Sequence, residues 1–191
     1  MNVPIKAIIF DCFGVLVVEA WVPLRDELFA NDAELLEQAN DNMKRLSLGH
    51  ISVEDFASHI ATMSDLSKEE VFDRMHANPI NKGLFEYIHT LKSTYRLAIL
   101  SNVGANRIKE LLGEENMKVF DVIGLSYDMG VAKPDPLAYT TIATQLALEP
   151  NECVFTDDQP RFVEGAVAVG MRGIVFRDTA SFRIELEEIL A

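Results

Sequence analysis

Polar residues follow three apolar stretches of the chain, each at the point where the stretch ends. Asp11 follows AIIF, Ser101–Asn102 follows LAIL, and Asp157–Asp158 closes the stretch that begins with CVF. Parallel strands bring their carboxyl ends to one edge of a sheet, so we expect these groups to meet there, joined by Lys133 from a loop. They would supply a carboxylate nucleophile, a hydroxyl donor, an ammonium and a carboxylate pair able to hold a hard cation. This set suits the transfer of a phosphoryl group by positioning and charge neutralisation.

Each of these residues also has a purely structural interpretation. Asp11 would begin a turn, and Ser101 would cap the helix that follows it. Lys133 would be a solvated loop residue, and Asp157–Asp158 would form an N-cap pair for the next helix. For each residue taken alone, the structural interpretation stays open. The occurrence of all these motifs in one chain favours the catalytic interpretation.

The elements that must position these residues are indicated by an alternating pattern after Pro79. Short apolar stretches typical of buried strands alternate with amphipathic stretches typical of helices, which predicts β-α-β units and a parallel sheet. The predicted strands are Ala7–Phe10, Leu97–Leu100, Val122–Leu125, Cys153–Phe155 and Gly173–Phe176, and the predicted helices are Lys82–Ser93, Ala105–Leu112, Pro136–Leu148, Phe162–Val169 and Ser181–Leu190. Right-handed crossovers would place helices on both faces. We therefore predict an α/β fold, a three-layer Rossmann-like doubly wound parallel sheet.

A helical stretch, Glu19–Asn81, interrupts this pattern after the first strand. Four helix starts are indicated there by Pro23, by Asn31 or Asp32, and by two capping boxes, Ser52 with Asp55 and Ser67 with Glu70. We predict a small helical-bundle cap inserted into the core. The expected domains are residues 1–18 and 82–191 for the core and 19–81 for the cap.

The composition excludes some classes of partner. The chain of 191 residues has a formal net charge of −13, whereas nucleic-acid binding needs clustered Lys and Arg, so no nucleic-acid partner is expected. The sequence has no run of about 18 apolar residues and no signal-peptide pattern, so we expect no membrane partner and a cytoplasmic location. Cys12 and Cys153 are predicted to be buried free thiols. Cys12 is disfavoured as a nucleophile because no His lies near it in the sequence.

In order along the chain, the motifs FDCFGVL, LSN, AKPDPLAY and VFTDDQPRFVEGAVAVGM resemble those of the haloacid dehalogenase-like (HAD) hydrolase superfamily. The resemblance covers the whole length, and the helical insertion is similar to the small cap of one large branch. It implies that Asp11 is the nucleophile, that Ser101 holds the transferring group, and that Lys133 steadies the nucleophile and its charge. Asn102, beside Ser101, would bind substrate with Ser101 and Lys133.

The same resemblance implies a Mg²⁺ site. Its ligands would be Asp11, Asp158 and the backbone carbonyl of Phe13, with Asp157 as an auxiliary, water-mediated contact. Asp157 and Asp158 beside an anionic Asp11 also make best sense around a cation, since the carboxylates would otherwise repel one another.

Two positions depart from the family pattern. Family phosphatases carry a second aspartate, the general acid and base, two residues after the nucleophile. Here Phe13 stands in its place, and its side chain cannot transfer a proton. Dehalogenases of the superfamily carry an aromatic tyrosine at this position and need no Mg²⁺, but their fourth motif does not look like TDD. Phe162 stands where many members place an acidic or amide residue, which weakens the metal site.

We therefore expect a Mg²⁺-dependent hydrolase, a phosphatase that acts on a small phosphorylated metabolite through an aspartyl-phosphate on Asp11. Two alternatives stay open: a 2-haloacid dehalogenase-like hydrolase acting at carbon, and a non-catalytic binding protein with the same fold. Within the cap, Trp21 and Arg25 have two interpretations, as substrate contacts or as core and surface residues.

Overall fold

The structure, a computed structural model, describes residues 3–47, 49–103 and 107–191. The chain divides into two compact units, which we call the core unit (Met1–Val18 and Ile80–Ala191) and the helical unit (Glu19–Pro79). The helical unit ends at Pro79 rather than at Asn81. The reason is local pairing within the core unit: Ile80 forms an antiparallel bridge with Val17, and the Asn81 N–H donates to the Leu16 carbonyl at 2.9 Å.

The core unit contains a five-stranded parallel sheet with the strand order β3-β2-β1-β4-β5. The strands are β1 (Ala7–Phe10), β2 (Arg96–Ser101), β3 (Val122–Leu125), β4 (Cys153–Asp157) and β5 (Arg172–Val175). The central strand, β1, is fully buried, as its unbroken apolar sequence predicts. The chain builds outward from β1 to β3 on one side and then returns to start β4 on the other. This order makes the gap between β1 and β4 the topological switch point, where doubly wound sheets bind ligands.

Helices cover both faces of the sheet. One face packs on α5 (Lys82–Leu91), α6 (Arg107–Met117) and α10 (Thr179–Leu190), and the other on α8 (Pro136–Gln145) and α9 (Pro160–Ala168). Alternate strand residues face opposite layers: Ile8 and Phe10 lie in one apolar cluster, Ala7 and Ile9 in the other. The predicted three-layer α/β fold is confirmed.

The structure refines one predicted helix, α6. Its predicted first two residues, Ala105 and Asn106, lie outside the described residues. Gly113, predicted to stop the helix, has a φ of 71° and interrupts it, and the helical trace resumes to Met117. A short helix, α7 (Ser126–Met129), follows β3 and was not predicted.

The helical unit consists of α1 (Trp21–Phe29), α2 (Ala33–Ser47), α3 (Val53–Thr62) and α4 (Lys68–His76). Both predicted capping boxes are formed, Ser52 with Asp55 and Ser67 with Glu70. The shorter aspartate side chain therefore also reaches the N-cap N–H. Asp32, rather than Asn31, accepts the free N–H groups at the start of α2. The unit has its own apolar core. Across the described part of the chain, no helix has the length and hydropathy needed to cross a membrane.

Candidate active site

Asp11 lies directly after β1, where the chain leaves the sheet. Its N–H donates to the Thr156 carbonyl of β4 at 2.9 Å, which extends the pairing of β1 with β4 by one residue. The Asp11 side chain is 9% exposed, and its Oδ1 accepts a hydrogen bond from Lys133 Nζ at 2.7 Å. The sheet and a buried cation therefore fix this carboxylate at the switch point.

Asp157 and Asp158 close β4 on the other side of the switch point. Asp157 is fully buried, and its two oxygens accept hydrogen bonds from Lys133 Nζ at 2.6 Å and from the Gln159 N–H at 2.9 Å. Asp158 is half-buried, and its Oδ1 is a buried atom with no hydrogen-bond partner among the described residues. Asp157 thus anchors the lysine and the turn before α9, while Asp158 has an oxygen to offer to a ligand.

Lys133 is buried, with 1% of its side chain exposed, so the interpretation as a solvated loop residue is wrong. Its ammonium donates to Asp11 and to Asp157. The same nitrogen lies 5.2 Å from the ring centroid of Phe155 and 5.0 Å from that of Phe162. Aromatic faces attract a cation at this distance, so two rings and two carboxylates hold one charge.

Ser101 is the last residue of β2 and is almost fully buried. Asn102 and Val103, which follow it, are not helical, so Ser101 is not the N-cap of a helix, and the capping interpretation is wrong. The next residue, Asn102, uses its side chain in a way that the sequence did not suggest. Its amide donates to the Lys133 carbonyl and accepts from the Lys133 N–H, both at 2.8 Å.

The charges of Lys133 and of the three aspartates around it, Asp11, Asp157 and Asp158, do not balance. Burial raises the pKa of Asp11 to about 6, with a further contribution from Asp157, and Lys133 opposes the shift. Burial also raises the pKa of Asp157 and of Asp158, and the charge of Asp11 adds to the shift at Asp158. Burial alone would lower the pKa of Lys133, but the neighbouring Asp11 and Asp157 raise it, so the ammonium stays charged. One cation therefore faces three carboxylates.

The cysteines are buried free thiols, as predicted. Burial, assisted by the charge of Asp11, raises the pKa of the Cys12 thiol strongly, and burial raises that of Cys153 to about 12. A thiol held in its protonated form is a poor nucleophile, so Cys12 contributes packing rather than attack.

The residues present fit a magnesium ion. Asp11, Asp157 and Asp158 each offer one carboxylate oxygen, and these oxygens lie within 4.8 Å of one another. Mg²⁺ prefers such oxygen ligands, and it would satisfy the buried Asp158 Oδ1. Among the described residues, none donates a hydrogen bond to the Phe13 carbonyl, so that oxygen is available as a further ligand. Both oxygens of Asp157 already accept hydrogen bonds, which suits an auxiliary position for it.

Tyr139 of α8 supports this cluster and was not recognised from the sequence. It is fully buried, its hydroxyl donates to the Phe162 carbonyl at 2.7 Å, and its ring packs edge-on against Phe155. Tyr139 thus supports the two residues whose rings flank Lys133. A buried tyrosine needs a partner for its hydroxyl. The motif AKPDPLAY contains Tyr139 but does not indicate this partner, which lies 23 residues further along the chain.

In the helical unit, Trp21 and Arg25 make contacts within that unit. Trp21 is buried and packs against Phe56 with ring centroids 4.9 Å apart. Arg25 binds the side chains of Asp26 and Asn40. These contacts support the structural interpretation of both residues.

Comparisons with known proteins agree with this fold. Residues 5–170 match the family described as haloacid dehalogenase-like hydrolase. The chain is similar to bifunctional epoxide hydrolase 2 of Sus scrofa, with 28% identity over 97% of this chain and 39% of that protein. It therefore spans about two fifths of the pig enzyme, and it spans 29% of the rat enzyme.

Solved structures of the same fold include a HAD family enzyme of Bacteroides thetaiotaomicron in complex with magnesium and inorganic phosphate. It has a TM-score of 0.67 and 21% identity, covering 93% of this chain and 98% of that one. A dehalogenase solved with an intermediate complex has a TM-score of 0.69 and 22% identity, covering 90% and 84%. The family match covers most of the chain, and the chain belongs to the haloacid dehalogenase-like hydrolase family.

Proposed function

We propose that the protein is a Mg²⁺-dependent phosphatase that acts on a small phosphorylated metabolite, with Asp11 as the nucleophile. The observation that carries the proposal is the charge imbalance around Lys133. Three buried or half-buried carboxylates face a single ammonium, and Asp158 Oδ1 has no partner among the described residues. A second cation and an anionic substrate would complete such a site.

In the proposed reaction, Asp11 attacks the phosphorus atom of the ester. Lys133 holds Asp11 Oδ1, so we assign the attack to Oδ2. A bond forms between this oxygen and phosphorus, and the bond from phosphorus to the alcohol oxygen breaks. Water then attacks the phosphorus of the aspartyl-phosphate, releases inorganic phosphate and regenerates the carboxylate.

The residues around Asp11 have separate proposed roles. Lys133 neutralises charge on the nucleophile and on the phosphoryl oxygens, and Ser101 donates its hydroxyl to one of these oxygens. Asp11, Asp158 and the Phe13 carbonyl would hold Mg²⁺, with Asp157 as an auxiliary contact. When bound, the ion supplies positive charge that reduces repulsion between the carboxylates and the substrate. The alcohol leaves with a proton taken from water, because Phe13 has none to give.

The dehalogenase-like reaction is the second candidate, and Phe13 is the observation that favours it. Displacement of halide from carbon needs no proton donor at this position, so an aromatic side chain there would not impair the reaction. It also needs no metal, and the unsatisfied Asp158 argues against a metal-free site. Solved structures of the same fold include both the Bacteroides enzyme with magnesium and phosphate and a dehalogenase, so the fold does not separate the two candidates, and the unsatisfied Asp158 oxygen decides our choice.

A release assay separates the candidates. The protein is incubated with a broad panel of phosphorylated metabolites and with 2-haloacids, each with and without Mg²⁺. Phosphate release that depends on Mg²⁺ supports the proposal, and halide release without Mg²⁺ overturns it in favour of the dehalogenase. Release of neither product would favour the non-catalytic binding protein. Asp11→Asn should abolish turnover in either reaction, whereas Asp128→Asn, an exposed control in the same unit, should not.

The proposed metal ligands can be tested by thermal unfolding, without an activity assay. Mg²⁺ bound to the folded state should raise the melting temperature of the wild type. At a Mg²⁺ concentration a hundred times its Kd, the gain in the free energy of unfolding is about 2.7 kcal/mol. Asp158→Ala should lose this increase, and Asp157→Ala should lose part of it. An equal increase in Asp158→Ala and in the wild type would remove Asp158 from the metal site.

The remaining assignments rest on the same proposal. We propose that the helical unit serves as the cap that selects the substrate, in the manner of small helical caps in this family. The partner would be a small phosphorylated molecule, without nucleic acid or membrane, and the cytoplasmic location stays a prediction.

A further inference from the structure

Asn102 and Lys133 are joined by a pair of reciprocal hydrogen bonds. Asn102 Nδ2 donates to the Lys133 carbonyl, and the Lys133 N–H donates to Asn102 Oδ1, each at 2.8 Å. A single bond would let the two groups rotate about it, whereas two antiparallel bonds fix both their separation and their relative orientation. The pair therefore ties the loop after β2 to the loop that carries Lys133, across a sequence separation of 31 residues.

The main chain at Lys133 needs such a tie. Lys133 lies between α7 and α8, outside any strand or helix, so no ladder of backbone hydrogen bonds fixes its position. Its side chain has four rotatable methylenes, and yet its ammonium is held at 2.7 Å from Asp11 and 2.6 Å from Asp157. A shift of the main chain would be transmitted to these two bonds.

The geometry also bears on the role first expected for Asn102, substrate binding. Its amide oxygen and its amide nitrogen are both bound to the Lys133 main chain. A substrate that took either atom as a ligand would compete with one of these bonds. The family resemblance assigns Asn102 to substrate binding beside Ser101, but its hydrogen bonds indicate a different role.

We infer that Asn102 is a positioning residue, which clamps the main chain of Lys133 and so holds the lysine ammonium between Asp11 and Asp157. Asn102 acts through Lys133 and does not bind the phosphoryl group. This inference deepens the proposed function, and its activity readout rests on that function. Its first test does not, because it observes the ammonium directly.

The first test uses protein labelled with ¹⁵N at the lysine Nζ atoms, in metal-free buffer. A buried ammonium that donates to two carboxylates should exchange its protons slowly with water and give a resolved signal, assigned as the one lost in Lys133→Met. Asn102→Ala should shift this signal or remove it through faster exchange. Asn102→Asp keeps the acceptor but loses the donor, and should have a smaller effect in the same direction. It also serves if the alanine variant does not fold.

A matched control is Asn116, whose amide donates to the Leu112 carbonyl at 2.9 Å within α6 of the same unit. Asn116→Ala removes one amide hydrogen bond of the same type and should leave the Lys133 signal unchanged. A Lys133 signal with wild-type position and exchange in folded Asn102→Ala and Asn102→Asp would overturn the inference.

The second test uses kinetics on whichever phosphate ester the protein hydrolyses. A positioning role predicts that Asn102→Ala lowers kcat, by about 10²-fold if the ammonium is displaced by 1 Å, with little change in KM. A substrate ligand would instead raise KM and leave kcat and the Lys133 signal unchanged, which would overturn the inference. If no phosphate ester is hydrolysed, the proposed function fails, and the Lys133 signal still decides the role of Asn102.

Discussion

Gly14 lies so close to Asp158 that a side chain at position 14 would collide with the carboxylate. A β-carbon built on Gly14 would lie 2.6 Å from both Cγ and Oδ2 of Asp158. Gly14 also has a φ of 79°, in the left-handed region that favours glycine. The turn after Asp11 therefore depends on glycine twice, for its backbone conformation and for the space that it leaves to a proposed metal ligand.

Gly14→Ala should destabilise the protein and weaken its response to Mg²⁺. The left-handed conformation costs an alanine about 1–2 kcal/mol, and the contact with Asp158 adds to this cost and displaces the carboxylate. Thermal unfolding with and without Mg²⁺ measures both effects.

The matched control for this prediction is Gly130, which has a φ of 66° and leaves open space, since a β-carbon at this position would meet nothing within 4 Å. Gly130→Ala should show the backbone cost alone and keep the full Mg²⁺ increase in melting temperature. If the two variants respond equally to Mg²⁺, the contact between Gly14 and Asp158 has no bearing on the metal site.

The raised pKa of Asp11 predicts how stability depends on pH in metal-free protein. Burial raises this pKa to about 6, above its ordinary value of 3.8, so the folded state favours the protonated carboxyl. The contribution of Asp11 to stability is therefore greatest below pH 3.8 and is lost as the pH rises through about 6. Asn does not titrate, so the wild type should lose stability relative to Asp11→Asn over this range.

Urea unfolding at about pH 4.5 and pH 8 in the presence of EDTA measures this change. The free energy of unfolding of the wild type, minus that of Asp11→Asn, should be lower at the higher pH. Mg²⁺ added in excess over the EDTA at the higher pH should raise this difference again. A difference that is the same at both pH values would show that Asp11 has an ordinary pKa in the folded state.

Sequence patterns predicted the edge of the sheet at which the candidate site lies, but not the contacts between its residues. Asp11 and Asp157 were recognisable because each ends an apolar strand, and parallel strands end at one edge. The partners of Lys133 were not, because the positions of Asn102 and of the Phe162 ring depend on side-chain direction and loop geometry. Asn102 was assigned to substrate from its neighbour Ser101, although its amide lies against a backbone 31 residues away.

The helices and unit boundaries show the same difference: features set by nearby residues were predicted correctly, and a boundary set by distant residues was not. The capping boxes at Ser52 and Ser67 were predicted correctly because their hydrogen bonds span three residues. The end of the helical unit was placed at Asn81 instead of Pro79, because it is decided by pairing with Leu16 and Val17, which are distant in the sequence.

Thr156→Val should stabilise the protein. The Thr156 hydroxyl is buried in β4 and has no hydrogen-bond partner among the described residues, and burying such a group costs about 1–3 kcal/mol. Valine has nearly the same shape without the hydroxyl, so part of this cost should be recovered. The reverse change on the same face of the strand, Val154→Thr, buries a new hydroxyl at a fully buried position and should destabilise. Urea unfolding measures both, and a Thr156→Val protein less stable than the wild type would indicate that the hydroxyl has a partner, such as an ordered water.

Phe13→Asp should raise phosphatase activity if the missing general acid limits the wild type. Phe13 occupies the position of the family's proton donor, and general acid catalysis is typically worth about 10²–10⁴-fold. The gain should be large for alkyl phosphates, whose alcohols leave poorly without a proton, and small for p-nitrophenyl phosphate, whose leaving group needs little protonation. The measurement is kcat/KM for both ester types at saturating Mg²⁺, with folding checked by circular dichroism.

The control for this change is Phe13→Asn, which has nearly the size of aspartate but no acidic proton to donate to the leaving group. It separates proton donation from simple removal of the ring, which is half-buried in the wild type. A new carboxylate near Asp11 and Asp158 adds repulsion, so Phe13→Asp, and not Phe13→Asn, should depend on Mg²⁺ for stability. If Phe13→Asn gains as much activity as Phe13→Asp, the ring obstructs the site and proton transfer does not limit the rate. A folded Phe13→Asp protein with no gain on any ester would favour the reaction at carbon, where no general acid is needed.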